Sequence, residues 1–146
     1  MAIRLNHTIV AANDKKTAAK FLTEILGLPS PSLVGPFAVA RVSDDTSLDY
    51  IDADGKIRSQ HYAFLVDESE FDEIFQWIRE GGLSYWADPG RQERGQINTW
   101  DGGRGVYFDD PNGHLLEIIT RPYGSGGTTA SRIHPLFAQT AGREGH

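Results

Sequence analysis

Apolar residues follow two different spacings along this chain, and each spacing predicts a different kind of element. Runs rich in β-branched and aromatic residues predict strands over residues 5–11, 37–42 and 47–52. Between the first two runs, apolar side chains recur every three or four residues and predict a helix over residues 14–26, with Gly27 as its stop signal. The first half is therefore predicted to run strand, helix, strand, strand.

The second half of the chain has the same order of elements. Strands are predicted over residues 61–66 and 115–120, and helical spacing of apolar residues follows the first of these strands. Asp67 and Glu70 form a capping-box pattern at the start of this second helix, and Gly81 is its predicted stop. Similar order in both halves suggests an internal repeat.

The repeat is supported by residue positions. One constant shift along the sequence carries His7 onto His61 and Gly27 onto Gly81. A longer shift, needed because the second half contains an insertion, carries Asp49 onto Glu117. The ionisable residues of the predicted strands thus come as two related pairs, one of histidines and one of carboxylates.

Strand alternation assigns these four residues to one face of each strand. The opposite faces carry apolar residues suited to packing under the helices: Tyr62, Phe64 and Val66, then Leu116 and Ile118, then Leu48 and Tyr50. An ionisable group in a buried strand costs several kcal/mol unless it is paired or bound to a metal. For the histidines the alternative is a hydrogen-bonded core residue, and for Glu117 it is a salt bridge to Arg4 or Arg121.

Composition narrows the classes of function. The 146 residues include 14 basic and 20 acidic ones, for a net charge of −6, and no basic cluster that could follow a phosphate backbone, so we expect no nucleic-acid partner. Cysteine is absent, which excludes disulfides and thiolate chemistry. No apolar run approaches the roughly 20 residues that span a bilayer, and the expectation is a cytoplasmic protein without membrane contact.

Three further segments carry possible functions. Residues 110–113, Asp-Pro-Asn-Gly, are predicted to form a turn between Tyr107 and Glu117, and His114 is predicted to be a surface or turn-packing histidine. Residues 89–104 form a long polar loop, either a solvated surface loop or a hinged cover with Trp100 against substrate. Residues 123–146 are predicted to be a flexible tail whose apolar patch, 133–137, either docks on a neighbouring subunit or is disordered.

The string from Tyr107 to Glu117, Y-x-x-D-P-x-G-x-x-x-E, together with His7 and His61, resembles the vicinal oxygen chelate superfamily, which includes glyoxalases, bleomycin resistance proteins and dioxygenases. The resemblance covers residues 3–122 and implies one domain over residues 1–122. It implies an α+β fold in which two βαβββ repeats form an eight-stranded mixed-sheet cup, an incomplete barrel, with the helices outside. It also implies a homodimer.

The resemblance further implies one divalent metal ion, iron(II), manganese, zinc, nickel or cobalt, held by His7, His61 and Glu117 as a 2-His-1-carboxylate set. Glu117 and Tyr107 are the candidate catalytic residues, although Tyr107 could equally be a packing residue. Asp49 and Trp100 are the candidate substrate-binding residues. Asp49 has three open roles: a fourth metal ligand, a substrate or supporting contact, or plain solvation.

The predicted function is a metal-dependent, glyoxalase-like lyase or isomerase that chelates the oxygens of a small oxygenated metabolite. One alternative is a divergent iron(II) extradiol-type dioxygenase. That alternative is weakened because residues 98–100 are Asn, Thr and Trp, where the ring-cleaving relatives have a catalytic histidine. A metal-free, drug-binding protein like the bleomycin resistance proteins is the alternative of another class.

Overall fold

A computed structural model describes residues 2–126, 132 and 134–136. Most of the predicted flexible tail, including Ile133 and Phe137 of its apolar patch, lies outside these described residues. The described chain divides into two compact units. The first unit contains the residues up to Gln60 together with Asp109–His114, and the second contains His61–Phe108 and the described residues from Leu115 onward.

The first unit contains the first βαβββ repeat. Its elements in chain order are β1 (His7–Ala12), α1 (Lys15–Leu26), β2 (Ser32–Val34), β3 (Phe37–Arg41) and β4 (Ser47–Asp52). The four strands form one mixed sheet in the order β1-β4-β3-β2, with β1 parallel to β4 and the other pairs antiparallel. Helix α1 packs against β1, β3 and β4 of this sheet.

The second unit contains the second repeat. Its elements are β5 (His61–Leu65), α2 (Glu68–Glu80), β6 (Tyr85–Trp86), β7 (Gly105–Asp109) and β8 (Leu115–Ile119). They form a second mixed sheet in the order β5-β8-β7-β6, in which the first and last strands of the repeat, β5 and β8, are again parallel. The predicted α+β class and its two βαβββ repeats are confirmed.

Local sequence explains where the helices begin and end. Asp14 caps α1 by accepting hydrogen bonds from the N–H groups of the first turn, and Gly27 closes it in the left-handed conformation, at φ 67°. The predicted capping box of Asp67 and Glu70 is present at the start of α2. That helix ends at the predicted Gly81, but the left-handed residue is the following one, Gly82, at φ 67°.

Strand register shows that the two repeats are equivalent residue by residue. His7 lies opposite Ser47 in the β1–β4 pair, and His61 lies opposite Leu115 in the β5–β8 pair. These are the positions that the two sequence shifts relate. Ile9 faces Asp49 in the first sheet as Ala63 faces Glu117 in the second. The sequence repeat is therefore a repeat of hydrogen-bonded structure.

Two of the apolar strand faces predicted to lie under the helices are buried, namely Leu48 and Tyr50 in β4 and Leu116 and Ile118 in β8. The third, made of Tyr62, Phe64 and Val66, is half-buried. Each helix contributes an apolar stripe to the core of its own unit, with Leu22 and Phe71 fully buried. Among the described helices, none combines the length and the apolar character needed to cross a bilayer.

Candidate metal centre

Glu117 is the most deeply buried of the described carboxylates in the second unit. It occupies the middle of β8, a strand whose first four residues are all buried, and its own exposure is 0%. Oε1 accepts hydrogen bonds from His61 Nε2, at 3.0 Å, and from the Tyr123 hydroxyl. Of the two arginines named as alternative partners, Arg121 donates to the Ser125 carbonyl oxygen and Arg4, in the first unit, pairs with Asp45.

His61 is oriented by its backbone neighbour. Its Nδ1 donates to the Leu115 carbonyl oxygen at 2.9 Å, which leaves Nε2 directed at Glu117. The hydrogen bond to Glu117 raises the pKa of His61 above its ordinary value, with a further contribution from the Leu115 carbonyl, against an opposing effect of burial. Histidines that ligate metals through one ring nitrogen commonly donate from the other to a carbonyl or carboxylate, and His61 has that arrangement.

The donor atoms of this pair fit a metal ion. Glu117 Oε2 is buried and accepts no hydrogen bond from any described residue, and an unsatisfied buried charged oxygen is costly. Two ligands at right angles, each about 2.1 Å from a metal, stand about 3.0 Å apart. His61 Nε2 and Glu117 Oε1 have that separation.

Tyr107 is fully buried on β7, and its ring stacks on His61 with 5.8 Å between centroids. Its hydroxyl lies 3.3 Å from the hydroxyl of Tyr123. Burial raises the pKa of both phenols well above the ordinary tyrosine value. Both side chains are therefore neutral hydrogen-bond donors at physiological pH.

Trp100 belongs to the aromatic wall beside this pair. It begins a short 3-10 turn, Trp100–Gly102, and contacts the rings of Tyr107 and His134, with centroids 6.3 Å and 4.6 Å away. His134 is itself buried and lies 4.1 Å from the Tyr123 ring centroid. Burial lowers the pKa of His134. Trp100 thus lies beside the candidate centre, where its predicted role in substrate contact stays a prediction.

Tyr123 and His134 are the residues that sequence reasoning missed, because the whole segment after Pro122 was predicted to be a flexible tail. A local signal was present. Pro122-Tyr123-Gly124-Ser125 is a turn sequence, and the Ser125 N–H donates to the Pro122 carbonyl oxygen at 3.1 Å with Gly124 at φ 75°. That is type II turn geometry, which requires glycine or asparagine at the third position.

The first unit holds the other two predicted site residues. His7 begins β1, is exposed, and donates from Nδ1 to Asn6 Oδ1 at 2.6 Å. Asp49 is half-buried on β4 and accepts a hydrogen bond from Ser47 Oγ at 2.8 Å. Within each unit, the described side chains include no cluster of three potential ligands. Ligation by His7 therefore remains a prediction.

His114 has a structural role in the first unit. The Gln60 N–H donates to its Nδ1 at 3.0 Å, and its Nε2 donates to the Ala11 carbonyl oxygen at 2.8 Å. Its exposure is 1%. It is the turn-packing histidine that the strand faces predict, because neither ring nitrogen is left for a ligand.

The long loop between β6 and β7 is ordered by its own hydrogen bonds. Asp88 accepts from the N–H groups of Gln92 and Glu93, and buried Asn98 donates from Nδ2 to the Ala87 carbonyl oxygen at 2.8 Å. Asn98 also exchanges backbone hydrogen bonds with Gly105. Asn98, in the window where a ring-cleaving enzyme has histidine, thus stabilises the loop.

Comparison with known proteins gives the same assignment as the residues. The family model described as Glyoxalase/Bleomycin resistance protein/Dioxygenase superfamily matches residues 4–118. Among curated proteins, the chain is 30% identical to glutathione transferase FosA of Serratia marcescens over 120 residues, 78% of each chain. It is 38% identical to metallothiol transferase FosB of Shouchella clausii over 73 residues, 50% of this chain and 42% of the other.

Two solved structures share more of the sequence. Oxidase ChaP-H1 is 61% identical with a TM-score of 0.82, over 84% of this chain and 99% of that one. Oxidase ChaP-H2 is 61% identical with a TM-score of 0.84, over 87% of this chain and 100% of that one. With its two βαβββ repeats and a buried Glu117 paired with His61, the chain belongs to the glyoxalase/bleomycin resistance protein/dioxygenase superfamily.

Proposed function

We propose that this protein is an enzyme that binds a small oxygenated molecule at one divalent metal ion held by His7, His61 and Glu117. The observation that carries the proposal is the His61–Glu117 pair, in which the buried Glu117 Oε2 has no described hydrogen-bond partner and His61 Nδ1 is already engaged by a carbonyl. Two histidines and a carboxylate suit iron(II), manganese, zinc, cobalt and nickel. When bound, such an ion supplies Lewis-acid or redox chemistry to chelated oxygens.

The reaction we propose is oxidation of that molecule with dioxygen as the electron acceptor. Two relatives that are 61% identical over more than four fifths of the chain are named oxidases. A glyoxalase-like isomerase or lyase reaction would use the same residues without consuming dioxygen. Oxygen uptake therefore separates the two reactions.

The residues around the pair suit a chelated substrate. Tyr107 and Tyr123 are neutral phenols whose pKa values are raised by burial, so they do not act as bases near neutral pH. Trp100 provides an apolar contact beside Tyr107. Asp49, in the first repeat, is proposed to contact substrate.

Metal content is the first test. Protein purified without added metal is expected to contain about one divalent ion per chain by plasma mass spectrometry, and a His7→Ala/Glu117→Gln double variant is expected to lose it. Equal metal in the two proteins would overturn the proposal. Absence of metal from both would favour the metal-free, drug-binding alternative.

Oxygen uptake is the second test. The protein loaded with each metal in turn is mixed with a panel of vicinal dihydroxy aromatics and hydroxyketones, with Glu117→Gln as the control. Uptake that depends on substrate and on Glu117 is expected. No uptake across the panel would overturn the oxidase proposal and leave the metal site standing.

Thiol transfer is a second candidate, favoured by the 30% identity to glutathione transferase FosA. It predicts loss of glutathione in the presence of an epoxide such as fosfomycin, measured with a thiol reagent. Consumption of glutathione without oxygen uptake would replace oxidation as the proposed reaction.

We also propose a homodimer. Apolar side chains on strands of both units remain exposed, with Ile9 at 56% and Leu65 at 62%, and a second copy would cover such residues. Sedimentation at micromolar concentration is expected to show a dimer, and a monomer alone would contradict this.

A further inference from the structure

Tyr123 contacts the candidate ligand Glu117 from outside the strands. Its hydroxyl donates to Oε1, the oxygen that also accepts from His61 Nε2. Tyr123 is the second residue of the type II turn after β8, so its ring is presented by a fixed backbone. The residue is 36% exposed, and its hydroxyl end reaches a carboxylate that is 0% exposed.

Asp101 fixes the position of this turn within the second unit. Its Oδ2 accepts a hydrogen bond from the Gly124 N–H at 3.0 Å, and its backbone N–H donates to the Arg132 carbonyl oxygen. Asp101 is 1% exposed and adopts a left-handed conformation at φ 59°. A non-glycine residue in that region needs support from its surroundings. The turn that carries Tyr123 is therefore anchored by one buried residue, which also binds the chain that follows the turn.

The hydrogen bonds among the phenols and the carboxylate have a fixed direction. Tyr123 donates its single O–H to Glu117 Oε1. Tyr107, 3.3 Å away, must then donate to the Tyr123 oxygen. Such a chain polarises each successive bond toward the carboxylate.

We propose that Tyr123 is a positioning residue for the metal site: its hydroxyl holds the Glu117 carboxylate in the orientation that leaves Oε2 and a lone pair of Oε1 for the ion. This inference rests on the proposed metal site. Supporting hydrogen bonds of this kind set the orientation of metal-ligating carboxylates, and their loss typically lowers metal affinity by about 10 to 100-fold.

A blocking role is the opposite reading of the same contact. If Tyr123 occupied the oxygen that the ion needs, its removal would strengthen metal binding. The orphaned Oε2 argues against blocking, because the carboxylate keeps one oxygen without any described partner while Tyr123 is bound to the other.

The test compares Tyr123→Phe with a matched control, Tyr85→Phe, whose ring packs edge-on against Phe75 at 5.0 Å. Cobalt(II) is titrated into metal-free protein, and both the dissociation constant and the visible absorption spectrum are recorded. Tyr123→Phe is expected to weaken binding about 10 to 100-fold and to shift the cobalt spectrum. Tyr85→Phe is expected to match wild type.

Three results would overturn the inference. The first is unchanged or tighter cobalt binding by Tyr123→Phe. The second is weaker cobalt binding with an unchanged cobalt spectrum and a lowered melting temperature, a combination that indicates a merely structural role. The third is failure of the wild-type protein to bind cobalt, which would overturn the proposed metal site itself. A wild type that binds while Tyr123→Phe binds equally well would overturn only the role of Tyr123.

Discussion

The two repeats have the same strand order and register but different chemistry at equivalent positions. Glu117 in the second repeat is completely buried and contacts His61, whereas Asp49 in the first is half-buried and contacts Ser47. His7 and its equivalent His61 are both exposed, so the two repeats differ in the carboxylate and not in the exposure of the histidine. Register alone therefore does not make a site, because it brings similar residues to both sheets.

Neighbouring residues account for part of the difference. Ser47 and Leu115 are equivalent in register, and the Ser47 hydroxyl satisfies Asp49 locally. Leucine has no hydroxyl, so Leu115 forms no side-chain hydrogen bond to Glu117. Its backbone carbonyl instead accepts a hydrogen bond from His61 and orients that ring. The second repeat thereby leaves its carboxylate available to a histidine.

Added chain accounts for the rest. The two carboxylates lie farther apart in sequence than the two histidines do, because the second repeat contains an insertion before β7. That stretch supplies Trp100, which contacts Tyr107, and Asp101, which anchors the turn carrying Tyr123. The second carboxylate is thus buried by segments that the first repeat lacks.

The largest expected effect comes from exchanging the two carboxylates for amides. Glu117→Gln is expected to lower metal affinity by more than about 100-fold, since it removes a proposed ligand itself and not merely a supporting bond. Asp49→Asn is the matched control and is expected to change affinity by less than about threefold. Calorimetric titration of metal-free protein measures both, and equal losses would make Asp49 a fourth ligand.

The second largest expected effect is on stability, and it distinguishes the two histidines of the first unit, His114 and His7. His114→Ala leaves the Gln60 N–H and the Ala11 carbonyl oxygen without their partner, so the free energy of unfolding should fall by about 2 kcal/mol. His7→Ala, at an exposed position, should change it by less than about 0.5 kcal/mol. Urea denaturation of metal-free protein tests this, and the reverse ranking would refute the structural role of His114.

The smallest effect is the pH dependence of the His61–Glu117 pair. Because the folded state raises the pKa of His61 above its ordinary value of 6.5, the pair stabilises metal-free protein fully below that value and loses its contribution as pH rises through the raised pKa. The side chain of His61 is 43% exposed, so the contribution is at most about 1 kcal/mol.

The measurement is the free energy of unfolding from pH 5.5 to 9, for wild type and His61→Gln. The difference between the two proteins should shrink as pH rises above the raised pKa of His61. A difference that grows with pH would contradict the assigned direction of the shift. Metal affinity should rise over the same range, because the ion replaces the proton on Nε2.

Much of the fold was predictable because its signals are local. The capping box at Asp67, the stop at Gly27 and the strand around Glu117 each depend on residues close in sequence, and all appear in the structure. Predicted boundaries differ by a residue or two: β1 begins at His7 instead of Leu5. Strand ends depend on pairing partners, which local pattern does not contain.

The site was predictable only in part. The repeat singled out His61 and Glu117, and the structure joins them. The sequence repeat gave no indication that Tyr123 donates to Glu117 or that His134 packs on Trp100. A Pro-Tyr-Gly-Ser sequence is typical of a turn, but what a turn side chain touches depends on the chain that folds back against it.

By itself, the sequence determined the two βαβββ repeats, the equivalence of His7 with His61 and of Asp49 with Glu117, and the superfamily. Tertiary structure alone decided that Glu117 is buried with one oxygen that no described residue contacts by a hydrogen bond, and that Tyr123 reaches the other. The physical reason is range. Periodicity and capping act within one or two turns of chain, whereas burial and hydrogen-bond satisfaction depend on which distant segments come to lie against a strand.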